Sequence, residues 1–314
     1  MKKTMPTLLL CLALLAGADC HKQPCQPPPD DKPPITYSDH ILAAWHPSDT
    51  MVVYYKTYSS DQDSSDYIGL WAIRPDGTNN RPYLVQGMNI VFGFIGSKDW
   101  SPDGNWLVFT KMWETDIYKL KANGDSLTRL TFNGDNTDPT WSPGGQKIAY
   151  SVHLGERSGL YVMNSDGTNN QRIKQYLFKP SWLPDGKNII AKGPLHGDTT
   201  DIYRINIETF DSIKVCYLYG GGITDITVSR DGFTIAFVRQ QSGKLLQIWT
   251  MNIDGTGLRQ LTGLSDPAVE GGDFPCWSSD GTKIVYSRYG YGGDNNGKLW
   301  IMNADGSNKQ QLTP

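Results

Sequence analysis

Acidic and hydroxyl side chains recur at fixed distances from tryptophan in this 314-residue chain. Asp99, Thr140, Ser181 and Thr227 each sit one residue before Trp100, Trp141, Trp182 or Val228, and Asp138, Lys179 and Asp225 sit three before. On an extended strand both offsets fall on one face, with Asp273 at the entrance of a further strand. Carboxylates brought together there could hold a cation, or a basic or hydroxylated ligand. A glycan-active enzyme or lectin could use Asp99, Asp138, Asp225 and Asp273, acidic pairs in such enzymes standing roughly 5–10 Å apart. The simpler reading is a polar, water-filled channel.

Other reactive chemistry is not encoded in recognisable form. The chain has no G-x-S-x-G elbow, no HExxH, no GxxxxGK[ST] and no CxxC. Its five histidines (His21, His40, His46, His153, His196) are scattered. The N-x-D-G-T-N segments lack the ligand spacing and terminal Glu of an EF-hand. The expectation is no catalytic residue, no metal ligand set and no cofactor.

What positions the acidic residues is a repeat. One unit reads WSPDGNWLVFT from Trp100, WSPGGQKIAYS from Trp141, WLPDGKNIIAK from Trp182 and WSSDGTKIVYS from Trp277, with weaker copies from Val228 and Trp45. A second unit follows each: LWAIRPDGTN from Leu70, IYKLKANGDS from Ile117, LYVMNSDGTN from Leu160, IYRINIETFD from Ile202, IWTMNIDGTG from Ile248 and LWIMNADGSN from Leu299. Asp-Gly supplies the positive φ of a tight, two-residue hairpin, and the flanking runs alternate as half-buried strands do. Short TRLT, RQLT and QQLT segments close three copies. Four strands per copy cannot cover their own faces, so copies must stack. The prediction is an all-β, six-bladed propeller of four-stranded antiparallel blades over residues 39–314.

Both motifs, in the same order six times, resemble the TolB-type propeller repeat family. That resemblance implies an envelope interaction module and covers the propeller only. Departures are Val228 in place of a fifth tryptophan, Gly-Gly in the third copy and Glu-Thr-Phe-Asp in the fourth. Similar propellers also gate prolyl-oligopeptidase-like enzymes, a role that calls for a hydrolase domain besides the repeats.

With the strand entering each tryptophan taken as the inner one, the Asp-Gly turns share one rim. The unequal segments 56–69, 193–201 and 288–297 share the other. Unequal insertions mark a binding face, with Tyr58, Tyr67, Tyr289, Tyr291 and His196 as contact candidates and His153 on the same rim. The motif tryptophans are expected to wedge between blades. Cys216 is placed on an outer strand and Cys276 on an inner one, too far apart to bridge.

Residues 1–19 read as a secretory signal: Lys2 and Lys3, an apolar run from Leu8 to Ala16, then small residues. Cleavage before Asp19 gives a secreted protein; processing at Cys20 gives a lipoprotein. Residues 20–38 are Pro-rich and suit a spacer, which favours lipidation at Cys20. Gly and Pro make 52 of 314 residues and charged residues only 19%, unlike a helical bundle. A net charge of −3 gives no broad positive field for nucleic acid, and no later segment is apolar enough to span a bilayer. The expected protein is a monomeric, non-enzymatic, periplasmic or outer-membrane-anchored lipoprotein of a Gram-negative-type bacterium. It would contact membrane only through its anchor and bind an envelope protein or peptide.

Overall fold

Each inner strand ends at its tryptophan, or at Val228 in the fifth copy, and passes through a turn into the next strand, which pairs back on it: Trp100 opposes Leu107, Trp141 Ile148, Val228 Ile235 and Trp277 Ile284. The computed structural model describes residues 42–59, 66–84, 95–111, 114–241, 245–263, 271–288 and 297–313. The signal segment, Cys20, the Pro-rich spacer, Tyr289 and Tyr291 lie outside the described residues. Six antiparallel sheets of four consecutive strands cover 43–84, 95–129, 136–175, 178–219, 222–260 and 273–311. They are blades 1 to 6 of a ring. One short 3-10 turn, Gly155–Arg157, is the only helical element among the described residues, and no described helix is long and apolar enough to cross a membrane.

The ring is held by six apolar clusters, each shared between neighbouring blades. Trp100 packs on Val53, Tyr55 and Leu70 of blade 1, and Trp141 on Val108 and Ile117 of blade 2. Trp182 and Trp277 repeat the contact on blades 3 and 5. Val228 fills the same wedge against Ile190 and Ile202 of blade 4. The Trp182 indole N–H also donates to the Thr140 carbonyl of blade 3 at 3.2 Å. At the seam, Trp45, Val52 and Tyr54 meet Val285, Leu299 and Leu312. There the Ser279 amide donates to the Asp49 carboxylate at 2.7 Å. Among the described residues the ring closes by this packing, each end blade keeping its own four strands.

The inner turns are longer than the two-residue hairpins expected. In Ser101-Pro102-Asp103-Gly104 the Gly104 amide donates to the Ser101 carbonyl at 2.8 Å, and only the glycine has positive φ (+70°). This is a type I turn followed by a left-handed glycine, with Pro at its second position. The aspartate serves the turn: Ser101 Oγ donates to Asp103 Oδ1 at 2.5 Å and the Asn105 amide at 3.0 Å. Asp231 and Asp280 accept from Ser229 and Ser278 alike. The outer LT segments are latches, since Thr131, Thr262 and Thr313 hydroxyls accept the amides of Ile117, Ile248 and Leu299 at 2.9, 2.9 and 3.0 Å.

Candidate functional site

The inner strands bulge where they enter the channel. Asp138, Lys179 and Phe274 each hold φ of 50–55°, and each precedes a proline and a small residue before tryptophan. Pairing with the second strand shifts register at the same places. Left-handed, non-glycine residues of this kind store about 1–3 kcal/mol each and collect at functional sites.

These bulges bring three of the five channel candidates into direct contact. Lys179 Nζ lies 2.7 Å from Asp138 Oδ1 and 3.6 Å from Asp225 Oδ1. Asp138 also accepts from Ser97 Oγ at 2.6 Å and Thr137 Oγ1 at 2.8 Å. Thr137 reaches His153 Nε2 at 2.9 Å, and that imidazole stacks on Phe178 at 4.8 Å. Burial works against the Asp138 charge, but the Lys179 ammonium and these donors hold its carboxyl far below the ordinary range. The Lys179 ammonium is in turn held above its usual value, the two aspartates outweighing burial. Asp273, 6% exposed, accepts the Phe274 amide at 2.9 Å. Burial and the Asp225 charge push it up to about 7. Two carboxylates thus pair with the Lys179 ammonium at the insertion-bearing end of the channel, and Asp273 feels its charge without a direct bond.

Asp99 stands apart from this group, two residues nearer the Asp-Gly rim along its strand. Its Oδ2 accepts from Thr140 Oγ1 at 2.9 Å and the Trp141 amide at 2.8 Å, and burial raises its pKa. It belongs to the floor of a cavity of about 170 Å³ that opens on the Asp-Gly rim. Thr140, Ser181 and Thr227 complete the polar floor, and the walls are the motif tryptophans with Pro47, Pro102, Pro143 and Pro184. At blades 5 and 6 the proline positions are Arg230 and Ser279. The concavity therefore lies on the rim whose uniform turns read as architecture.

On the opposite rim, segment 193–201 is a projecting hairpin rather than a loop. Strands Asn188–His196 and Thr199–Asn206 run through it, with outer strand Ser212–Tyr219 alongside. Pairing of the inner strand ends at Lys192, so the hairpin extends four further residues to His196, about 13 Å at ~3.3 Å per residue. Leu195, Tyr217 and Tyr219 on it are 57%, 68% and 72% exposed, and His196 is exposed as well. Blade 1 projects in the same way, its strands Val52–Ser59 and Asp66–Ile73 pairing Tyr58 with Tyr67. The side chains of Tyr58 and Tyr67 lie outside the described residues. In a ring of six, blades 1 and 4 face each other across the channel. Cys216 and Cys276 are free thiols on the predicted strands. Among the described residues no group of three or more His, Cys, Asp or Glu could hold a metal ion.

A family profile described as the TolB beta propeller domain matches residues 49–314. The chain belongs to this family. The Tol-Pal system protein TolB of Anaeromyxobacter dehalogenans (strain 2CP-C) is 32% identical over 115 residues, which is 35% of this chain and 25% of that protein. The uncharacterized peptidase YuxL of Bacillus subtilis (strain 168) is 25% identical over 177 residues, 54% of this chain and 24% of that one. The chain thus spans about a quarter of the length of these relatives. The crystal structure of TolB from Acinetobacter baumannii superposes with a TM-score of 0.65 at 19% identity. It covers 86% of this chain and 62% of that one, a likeness of fold.

Within this TolB-type ring, two groups escaped sequence reasoning. Ser97 and Thr137 bond Asp138, and Lys98, buried between blades, donates its Nζ to the Leu42 carbonyl. The usable signal for the first was the x-Pro-x-Trp pattern of DPTW, KPSW and FPCW, which marks the bulged strands. For Lys98 no local pattern distinguishes a buried lysine from a solvated one.

Proposed function

We propose that this TolB-type propeller is a non-enzymatic module of the cell envelope, exported by residues 1–19, tethered through Cys20, and binding a protein or peptide on its insertion-bearing rim. The observation that carries the reading is the blade 4 hairpin, which places Leu195, Tyr217 and Tyr219 in solvent beyond the ring. Exposed aromatic groups on a rigid, projecting element are what protein interfaces use as anchors. The opposed blade 1 hairpin makes the rim a two-walled seat across the channel mouth.

A glycan-active reading is less well supported. Asp138 is neutralised by Lys179, and Asp99 is occupied by Thr140 and a backbone amide; of the four expected carboxylates this leaves Asp225 and Asp273, both raised by burial, with Asp225 3.6 Å from the Lys179 ammonium. Photo-crosslinking from position 195 or 219 in intact cells tests the reading. A discrete partner should be captured and lost when Leu195, Tyr217 and Tyr219 are changed together to serine; a capture pattern indifferent to that change refutes the rim assignment. Globomycin treatment with mass spectrometry of the mature N-terminus tests the anchor, and a glycan array tests the lectin alternative.

A further inference from the structure

The cavity on the Asp-Gly rim is distinct from that seat and lies at the other end of the channel. Its size is informative first: about 170 Å³ is close to the roughly 150 Å³ that accommodates one benzene ring in a protein interior. Its walls are informative next. Blades 1 to 4 present an indole followed two residues later by a pyrrolidine, an apolar crescent suited to a flat ring. Blade 5 breaks the crescent twice, with Val228 at the tryptophan position and Arg230 at the proline position. The Arg230 side chain is exposed, and its guanidinium makes no hydrogen bond or ion pair among the described residues. Its charge acts on Asp99 at the floor, and a cation at the lip of a ring-sized pocket with indole and proline walls over a polar floor is complementary to a carboxylate held beside a ring.

We propose that this mouth is a second binding site, which takes one ring side chain of a partner polypeptide while an adjacent carboxylate of the same segment pairs with Arg230. The ring enters between the Trp141 and Trp182 indoles and their prolines, and Arg230 sets which way the segment runs across the mouth. Direction needs that asymmetry, because the four Trp-Pro blades alone would accept a ring in equivalent orientations.

The test uses the purified protein and three capped dipeptides: Ac-Phe-Asp-NH2, its neutral isostere Ac-Phe-Asn-NH2, and Ac-Ala-Asp-NH2. Binding is read from the ¹⁵N–¹H resonances of the tryptophan indoles. Ac-Phe-Asp-NH2 should shift Trp100, Trp141 and Trp182 while leaving Trp71, Trp249 and Trp300 in place. The asparagine peptide should bind about two- to fivefold more weakly, the size of a partly exposed ion pair, and the alanine peptide should shift none of the cavity indoles. Arg230→Gln, at an exposed position, should erase the Asp/Asn difference and keep ring binding; Thr227→Phe, which fills the floor, should abolish both. Equal binding of the Asp and Asn peptides, shifts at the remote indoles, or no shift with any peptide would each overturn the assignment. None of these outcomes bears on the insertion-bearing rim, so the two sites stand or fall separately.

Discussion

Lys179→Met removes the ammonium that bridges Asp138 and Asp225 and faces Asp273. The groups around it come from several strands: Asp138 and His153 from blade 3, Asp225 and Asp273 from blades 5 and 6, and Lys192, whose Nζ is committed to the Ile223 carbonyl at 2.7 Å. Methionine keeps the volume and deletes the charge, leaving buried carboxylates without their partner. Breaking a buried pair from one side costs about 3–5 kcal/mol. At about 2–4 °C per kcal/mol for a domain of this order, the melting temperature at pH 8 should fall by roughly 6–20 °C. The pH dependence follows in sign. In the native protein Asp138 is held low, so its contribution is present above the unfolded value near 3.8 and lost as pH falls. In the variant the abandoned carboxylates favour the proton, so their folded values lie above the unfolded ones and their cost fades on acidification. Thermal unfolding by circular dichroism at pH 8, 6.5 and 5 should therefore show the deficit shrinking with pH. Asp138→Asn added to Lys179→Met should recover part of the loss. A deficit under about 2 °C at pH 8, or one that does not shrink at pH 5, refutes a buried, charged cluster.

Asp273→Asn keeps the acceptor for the Phe274 amide and removes a carboxylate raised to about 7. A carboxyl raised in the folded state costs stability fully above pH 7 and not at all below its unfolded value, so the variant should melt higher at pH 8 and lose that advantage toward pH 4. Burial raises the Cys216 thiol to about 11 and Cys276 to about 12. At pH 8 roughly a thousandth or less of either is thiolate, so peptide mapping after alkylation should find both labelled only in denaturant; prompt native labelling would contradict their placement. Gly255 holds φ +87°, and a Cβ there would lie 2.8 Å from the Val215 carbonyl oxygen of blade 4, whereas Gly281 at φ +70° has open space. Urea unfolding should show Gly281→Ala costing about 1 kcal/mol for backbone strain and Gly255→Ala costing more, the excess reporting how closely that turn docks on its neighbour. Trp141→Ala should cost about 3–5 kcal/mol as a core truncation between blades, and a surface-like cost would argue against the wedge.

The blades were legible because each repeat encodes a local rule six times over. Trp141, Lys147–Val152 and Gly159–Asn164 alternate as strands in one copy, and the same alternation in five others removes ambiguity. The channel was legible only in part. Counting back from tryptophan placed Asp138, Lys179 and Asp225 on one inward face, but the contacts depend on left-handed turns at Asp138 and Lys179, which pre-proline preferences disfavour. Tertiary packing imposes that conformation, so strand periodicity could not reveal it. The hairpin at 193–201 was hidden for a different reason: Gly193, Pro194 and Gly197 spell a loop, while pairing with the long outer strand Ser212–Tyr219 extends the sheet through them. The cavity was missed because the prolines two residues past Trp45, Trp100, Trp141 and Trp182 read as turn residues, which they also are.

A sixfold ring constrains where selectivity can arise. A side chain present in every blade presents the same chemistry in six directions, so it can supply affinity but cannot orient a ligand. The tryptophans and prolines of the Asp-Gly mouth approach that case, tryptophan standing in five blades and proline in four. Orientation must come from departures, and they fall in adjoining blades: Val228 and Arg230 in blade 5, Ser279 in blade 6. At the other end Lys179 occupies a position that Asp138, Asp225, Ser97 and Phe274 hold in neighbouring copies, which turns a ring of equivalent sites into one network centred on a cation that pairs with two of them. The projecting hairpins obey the same logic, since among the described residues only blade 4 carries an eight-residue outer strand beside its extension. Positions that violate the repeat are thus the ones able to encode recognition, and mutagenesis aimed at them separates binding from the stability that the repeat itself provides.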